Sequence, residues 1–274
     1  MKLITFRHNG GTHVGSVDGD SVNVLPFPDM FAALGAGLDG LKSAAPTGTL
    51  ALGDVQILAP IPRPQKLICI GLNYRDHAIE SNMEIPKLPT VFNKFATAVI
   101  APGQAVVLPK VSEKPDYEAE FAFVIGKGGR NIAAADWADH VIGYTIINDV
   151  SARDIQLATS QWLMGKTFDT FAPMGPYITT ADEIADPHDL NISLDLNGVT
   201  LQNSNTRELI FKIPELIAYL SSVFTLETGD IVSTGTPAGV GFARKPPVLL
   251  KPGDQMVVKV QGLGELANPV VGEA

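Results

Sequence analysis

The chain has 274 residues, 45 % of them hydrophobic, with 26 Gly and 20 Pro, enough length for one sizeable core plus an appendage and a composition far from that of disordered chains. A formal net charge of −9 and a pI near 5.0, with no dense Lys/Arg run, exclude a nucleic-acid or anionic-membrane partner held by charge; no apolar run reaches the roughly 18–20 residues that a membrane-spanning helix needs. Cys69 is the only cysteine, so no intrachain disulfide can form, and the expected location is the cytoplasm, or an organelle matrix in a eukaryotic source.

MKLITFRHNGGTHVGSVDGDSVNVL places short apolar runs between Asn-Gly-Gly and Asp-Gly-Asp turns, which predicts a small β-rich domain over residues 1–60. Its first apolar run is too short for a signal-peptide core. A Gly/Ala stretch follows, then PIPRP at 60–64. Proline fixes φ and removes donors, so this segment reads as a stiff connector into a second domain over 61–274. KLICIGL at 66–72 predicts a buried strand, and Asn73 with Asp76 resembles a capping box opening a short helix. The segment 81–100, rich in proline, is expected to lie over a pocket as a lid. Further strands are expected at 91–95, 105–109, 118–125, 141–147, 192–196, 231–234 and 256–260, with helices at 151–161 and 207–224. The pattern is mixed β-rich α+β, not doubly wound, and carries no internal repeat.

DYEAEFAFVIG, residues 116–126, is the most informative stretch. Side chains alternate along a strand, so Glu118, Glu120 and Ala122 share one face while Tyr117, Ala119, Phe121, Phe123 and Ile125 share the other. Two carboxylates beside apolar packing disfavour each other's ionised form. Solvent, a Lys or Arg, a shared proton or a hard cation can compensate them. Asp149 ends the apolar run VIGYTIIND, where a strand hands over to a Ser151–Asp154 capping box, and strand ends are rigid supports for sites. Three carboxylates with waters completing a six-oxygen shell suit Mg²⁺, or nearly as well Mn²⁺. The bland alternative is an ordinary solvated strand face.

His77 and Glu80, three apart on the short helix, lie on one face. A histidine oriented by a glutamate, or sharing a water with it, is a candidate general base; the alternative is a surface pair. MGKTFDTFAPMGP places Lys166 beside a glycine in an aromatic-rich segment, where it can stabilise a developing enolate or simply reach for water. The loop TGTPAGVGFARKPP, 234–247, lacks the dinucleotide-binding glycine spacing. Its glycines allow close backbone approach to an anionic ligand, and Gly235, Thr236 and, further back, Arg153 are the candidate substrate-binding residues.

GLNYRDHAIES, DYEAEFAFVIG, GYTIINDVSARD, QWLMGKTFDTFAPMGP and TGTPAGVGF, in that order over about 66–270, resemble the fumarylacetoacetate hydrolase superfamily. ARKPPVLLKPGD makes the likeness greatest to its smaller members, the fumarylacetoacetate hydrolase domain-containing protein 2 type. The resemblance implies a β-roll catalytic domain, usually dimeric, with Mg²⁺ or Mn²⁺ held by Glu118, Glu120 and Asp149. It also implies a His77–Glu80 dyad assisted by Lys166, and Thr236 on the substrate carboxylate. The large fumarylacetoacetases carry a longer N-terminal domain, which argues against fumarylacetoacetate itself as substrate. The chemistry expected first is hydrolysis of a C–C bond in a small acylpyruvate-like or β-diketo acid through an enolate. Oxaloacetate enol–keto tautomerisation comes second, then isomerisation or decarboxylation of 2-oxo acids in aromatic catabolism. A metal-stabilised scaffold is the non-enzymatic alternative.

Overall fold

Asn9 and Gly10 both take positive φ, 47° and 80°, as a two-residue hairpin turn matched to strand twist requires. That turn joins β1 (Lys2–His8) to β2 (Gly11–Asp18), and β3 (Ser21–Val24) and β4 (Gly48–Ala51) extend the meander. Between β3 and β4 the Gly/Ala stretch forms two short helices, α1 (Met30–Gly35) and α2 (Gly37–Ser43), the first capped by Asp29. The computed structural model describes all 274 residues.

The later strands are β5 (Leu67–Gly71), β6 (Thr90–Asn93), β7 (Val106–Leu108), β8 (Ala119–Ile125), β9 (Val141–Asn148) and β10 (Ala172–Thr180). They continue with β11 (Asn191–Leu196), β12 (Val199–Asn205), β13 (Ile231–Ser233), β14 (Gln255–Val260) and β15 (Gly264–Gly272). Helices α3 (Arg75–Glu80), α4 (Arg153–Gln156), α5 (Leu163–Lys166) and α6 (Ile213–Val223) complete a mixed, β-rich α+β fold. The large sheet runs β4-β3-β2-β1-β10-β9-β8-β13-β5-β6, and a second runs β12-β11-β14-β15-β7.

β8 lies deep in the large sheet and is buried on both faces. Tyr117, Ala119, Phe121, Phe123 and Ile125 pack with residues of the second sheet and α6, while Ala122 and Val124 pack with Leu3, Val14, Met30 and Leu34 of the N-terminal unit. The expected alternation is present, but each face meets its own core. Each buried aromatic or aliphatic side chain contributes roughly 1.5–3 kcal/mol. The N-terminal unit therefore shares both a sheet, through β1 on β10, and a core with the rest of the chain. Deleting residues 1–60 is expected to leave a remainder that aggregates, because the edge of β10 and the face containing Val124, Ile147 and Met174 lose their cover. Soluble yield and circular dichroism of the truncated chain check this.

Several local expectations give way to tertiary contacts. The helix at 151–161 shrinks to α4: Ser151 and Ala152 pair with Pro115 and Asp116, and Thr159 turns the chain through its own hydroxyl to Gln161. The helix at 207–224 starts only at Ile213, beside Pro214, because Ile210 and Phe211 are bonded to Asn73 instead. Neither capping box forms. Asn73 binds the Phe211 and Thr234 backbone, and Asp154 holds Ser112 and Glu113. Part of the proposed lid is sheet: β6 takes Thr90–Asn93 and a short strand takes Val99–Ile100, while Ser81 and Met83 border the cavity described below.

A candidate metal-dependent active site

The antiparallel register sets the acids. Ala119 faces Asn148 and Glu120 faces Ile147, which places Glu118 beside Asp149; the Asp149 amide donates to Glu118 O at 2.9 Å. Glu118, Glu120 and Asp149 are buried, and each offers an oxygen within 4.8 Å of the others. A solvated strand face is thereby ruled out, Glu118 being 5 % and Glu120 1 % exposed.

Cations surround two of the three. Lys166 Nζ lies 2.8 Å from both Glu118 Oε2 and Asp149 Oδ2. Arg153 Nη1 lies 2.6 Å from Glu118 Oε1. Lys94, which sequence reading missed, places its fully buried ammonium 2.5 Å from Asp149 Oδ1 and 3.0 Å from Val150 O. Nothing local marks Lys94 in TVFNKFATA beyond a lysine within a largely apolar run. Glu120 has no cation partner. It accepts from the Ser233 hydroxyl and, at 3.1 Å, from the Gly235 amide, both on Oε2.

The proton affinities follow from this asymmetry. Burial alone would raise Glu118, but the Lys166 ammonium and the Arg153 guanidinium outweigh it and hold the carboxyl well below its usual range. Burial pushes Glu120 well up, and the charges of Asp149 and Glu118 push it further. Burial opposes the Lys166 ammonium, yet Asp149 and Glu118 keep its pKa above the ordinary lysine value. Four buried carboxylates, Asp116 included, thus face three buried cations. An all-oxygen donor set with one uncompensated acid fits a hard divalent cation.

The dyad sits across the same cavity. Leu72, at φ 47°, turns the chain out of β5, and Asn73 pins that turn to Phe211 and Thr234. Asp76, bonded to Ser204, fixes α3 against the second sheet. His77 Nδ1 then lies 3.2 Å from Glu80 Oε2, and the Gly239 amide donates to both Glu80 oxygens at 3.0 and 3.1 Å. His77, Glu80, Glu118, Glu120, Arg153, Lys166 and Thr236 all line one cavity of about 370 Å³, within the range of small-ligand sites. Leu72, Phe92, Trp162 and Phe242 supply its apolar wall, and Gln156, which also escaped sequence reading, adds an amide.

The remaining candidates are placed differently from one another. Gly235 turns its amide to Glu120, and Thr236 donates its hydroxyl proton to Ala119 O at 2.9 Å while accepting from Gln202. Both roles of the Thr236 hydroxyl are thus taken within the protein, although the residue lines the cavity. Arg153 donates through Nε to Asp116 and through Nη1 to Gln156; Nη2 makes no hydrogen bond although it is 2.8 Å from Asp116 Oδ2.

Comparison with known proteins bears on this geometry. The family profile "Fumarylacetoacetate (FAA) hydrolase C-terminal" matches residues 66–271, and "Rv2993c-like, N-terminal" matches residues 1–60. "Oxaloacetate tautomerase FAHD2A, mitochondrial" of Bos taurus is 44 % identical over 99 % of this chain and 92 % of its own. Among solved structures, 5-carboxymethyl-2-hydroxymuconate delta-isomerase from Mycobacterium smegmatis superposes with a TM-score of 0.86 at 35 % identity, covering 100 % of both chains. Maleylpyruvate hydrolase from Sphingobium sp. SYK-6 does so with 0.83 at 32 % identity, again over 100 % of both. The chain belongs to the fumarylacetoacetate hydrolase family.

Proposed function

We propose that the protein is a divalent-cation-dependent enzyme of small 2-oxo acids, and that its reaction is enol–keto tautomerisation of oxaloacetate or a close analogue. The observation that carries this reading is that the His77–Glu80 dyad, Glu118 and Glu120 line a single small cavity, with a buried Asp149 oxygen within 4.8 Å of oxygens of both glutamates. The bovine relative, similar over almost the full chain, supports tautomerisation ahead of the hydrolysis that the residues alone rank first. Hydrolysis of an acylpyruvate-like C–C bond is the second reading, favoured by the likeness to maleylpyruvate hydrolase.

Glu118, Glu120 and Asp149 would hold Mg²⁺ or Mn²⁺, which when bound supplies Lewis-acid stabilisation to negative charge on the 2-oxo group. Arg153, which lines the cavity, and the Thr236 amide would receive the substrate carboxylate. His77 takes the proton from C3 and returns it on the enol oxygen side, its ring oriented by Glu80. Glu80 in turn is fixed by Gly239. Lys166 places a positive charge beside the developing enolate. The apolar wall of Phe92, Trp162 and Phe242 limits water. We also propose a homodimer in a soluble compartment; Ile79, Met83, Ile85, Leu88 and Phe95 expose more apolar surface in one segment than a monomer needs, and light scattering tests it.

The test is an ultraviolet assay of Mg²⁺-loaded protein on oxaloacetate enol, acetylpyruvate and maleylpyruvate with product identification. Faster enol–keto conversion without cleavage supports the first reading; pyruvate plus a second acid from the diketo acids supports the second. No turnover of any substrate would leave a scaffold.

Cation binding is expected to be proton-linked. Glu120, pushed up by burial and its acidic neighbours, retains a proton at a pH where an ordinary carboxyl has lost it. Binding expels that proton, so affinity rises with pH until Glu120 is ionised in the free protein. Calorimetry in buffers of differing ionisation heat should show up to about one proton released per cation; none released would contradict the assignment.

A further inference from the structure

Asp116 is fully buried and is not among the three acids that converge on the cation site. Its carboxylate nonetheless collects four donors. Oδ1 accepts from the amides of Tyr117 at 2.9 Å and Gly241 at 2.8 Å, and Oδ2 accepts from the Phe242 amide at 3.0 Å and Arg153 Nε at 2.8 Å. The approach of the loop is so close that a Cβ on Gly241 would lie 2.6 Å from Asp116 Oδ1. Arg153 and the loop bearing Gly241 and Phe242 lead to different parts of the site. Arg153 continues to Glu118 Oε1. The loop bonded through Gly241 and Phe242 carries Gly239, the amide that fixes both oxygens of Glu80. Phe242 itself forms cavity wall.

We infer that Asp116 is a positioning residue that sets the spacing between the cation-binding acids and the His77–Glu80 dyad, by tying Arg153 and the 239–242 loop to one buried carboxylate. The inference deepens the enzymatic reading proposed above. A lone carboxylate needs only one cation for charge balance; amides from two separate chain segments on the same group are what a geometric clamp requires.

The test uses Asp116→Asn, which keeps size and one acceptor oxygen but loses the charge and part of the donor set. Expected are hydrogen exchange in 239–242 at least about tenfold faster, and cation affinity and kcat/KM each lower by about 10–100-fold, the catalytic loss falling on kcat. In a double-mutant cycle with Glu80→Ala, which leaves the Gly239 amide no oxygen to hold, the catalytic effect should largely vanish, because Asp116 acts on kcat through Glu80. Full additivity with Glu80→Ala, or unchanged loop exchange, would overturn the inference. Should Asp116→Asn not fold, the wild type decides: the Gly241 and Phe242 amides must exchange as slowly as those of β8, and fast exchange there removes the clamp. The exchange arms stand even if wild-type protein turns over none of the 2-oxo acids, so failure of the proposed reaction and failure of the clamp are separable.

Discussion

Asp149→Asn is expected to lower the stability of the cation-free protein by about 3–5 kcal/mol, whereas Glu120→Gln is expected to leave it unchanged or raise it, although both abolish divalent-cation binding. The two acids belong to one trio but have opposite surroundings. Asp149 is fully buried with an ammonium on each oxygen, Lys94 at 2.5 Å and Lys166 at 2.8 Å. Removing its charge strands Lys94, which has no other acid to turn to, and leaves Lys166 with Glu118 alone. Glu120 has only neutral donors, Ser233 and Gly235, which a glutamine oxygen can accept equally well. Its neutralisation removes repulsion from Asp149 and Glu118 and strands nothing.

The pH dependence has the matching sign. A carboxyl whose folded pKa is raised binds protons in the native state that the unfolded chain has released, so its contribution to stability grows as pH falls from Glu120's raised value toward the ordinary carboxylate range. Glu118, held low, contributes the opposite slope only in more acid solution, below that range. Urea titrations of chelator-treated protein across this window should show the gain in wild type and its absence in Glu120→Gln. Equal destabilisation by both substitutions would mean that the charge asymmetry between Asp149 and Glu120 does not set their contributions to stability.

Period-two alternation made β8 and its acids legible, because Glu-Ala-Glu leading into a Phe-rich strand must turn both carboxylates to the face opposite the aromatic rings. The i,i+3 spacing of His77 and Glu80 was equally local. What stayed hidden was set by distant contacts. Lys94 reaches Asp149 across 55 residues of sequence, and Asp116 meets Gly241 across 125. β10 went unread because Pro173, Gly175 and Pro176 look like breakers; Pro176 sits where the pairing with β9 slips, and Pro173 lies beside Ile100 of the short parallel strand Val99–Ile100. Asn73 had the spacing of a cap but serves the Phe211 and Thr234 backbone, a role visible only once α3, β13 and the segment before α6 are together.

His77→Gln is expected to reduce kcat for tautomerisation by about 10²–10⁴-fold, with cation affinity within about threefold of wild type, since His77 is not one of the three acids and its ring is held by Glu80 at 3.2 Å. Glutamine matches imidazole in reach and polarity but cannot carry a proton through the cycle. Glu80→Gln should cost less, because the Gly239 amide can still hold the amide oxygen and the ring loses only the charge beside Nδ1. Since Glu80 acts through His77, the double variant should be no slower than His77→Gln alone. Decarboxylation needs no protein base to start, so His77→Gln should retain part of any oxaloacetate decarboxylation while tautomerisation and hydrolysis collapse. Following enol, keto acid and pyruvate in one reaction separates these outcomes. Parallel loss of all three with cation still bound would show that His77 holds substrate rather than moves its proton, and an additive double variant would show that Glu80 has a partner other than the imidazole.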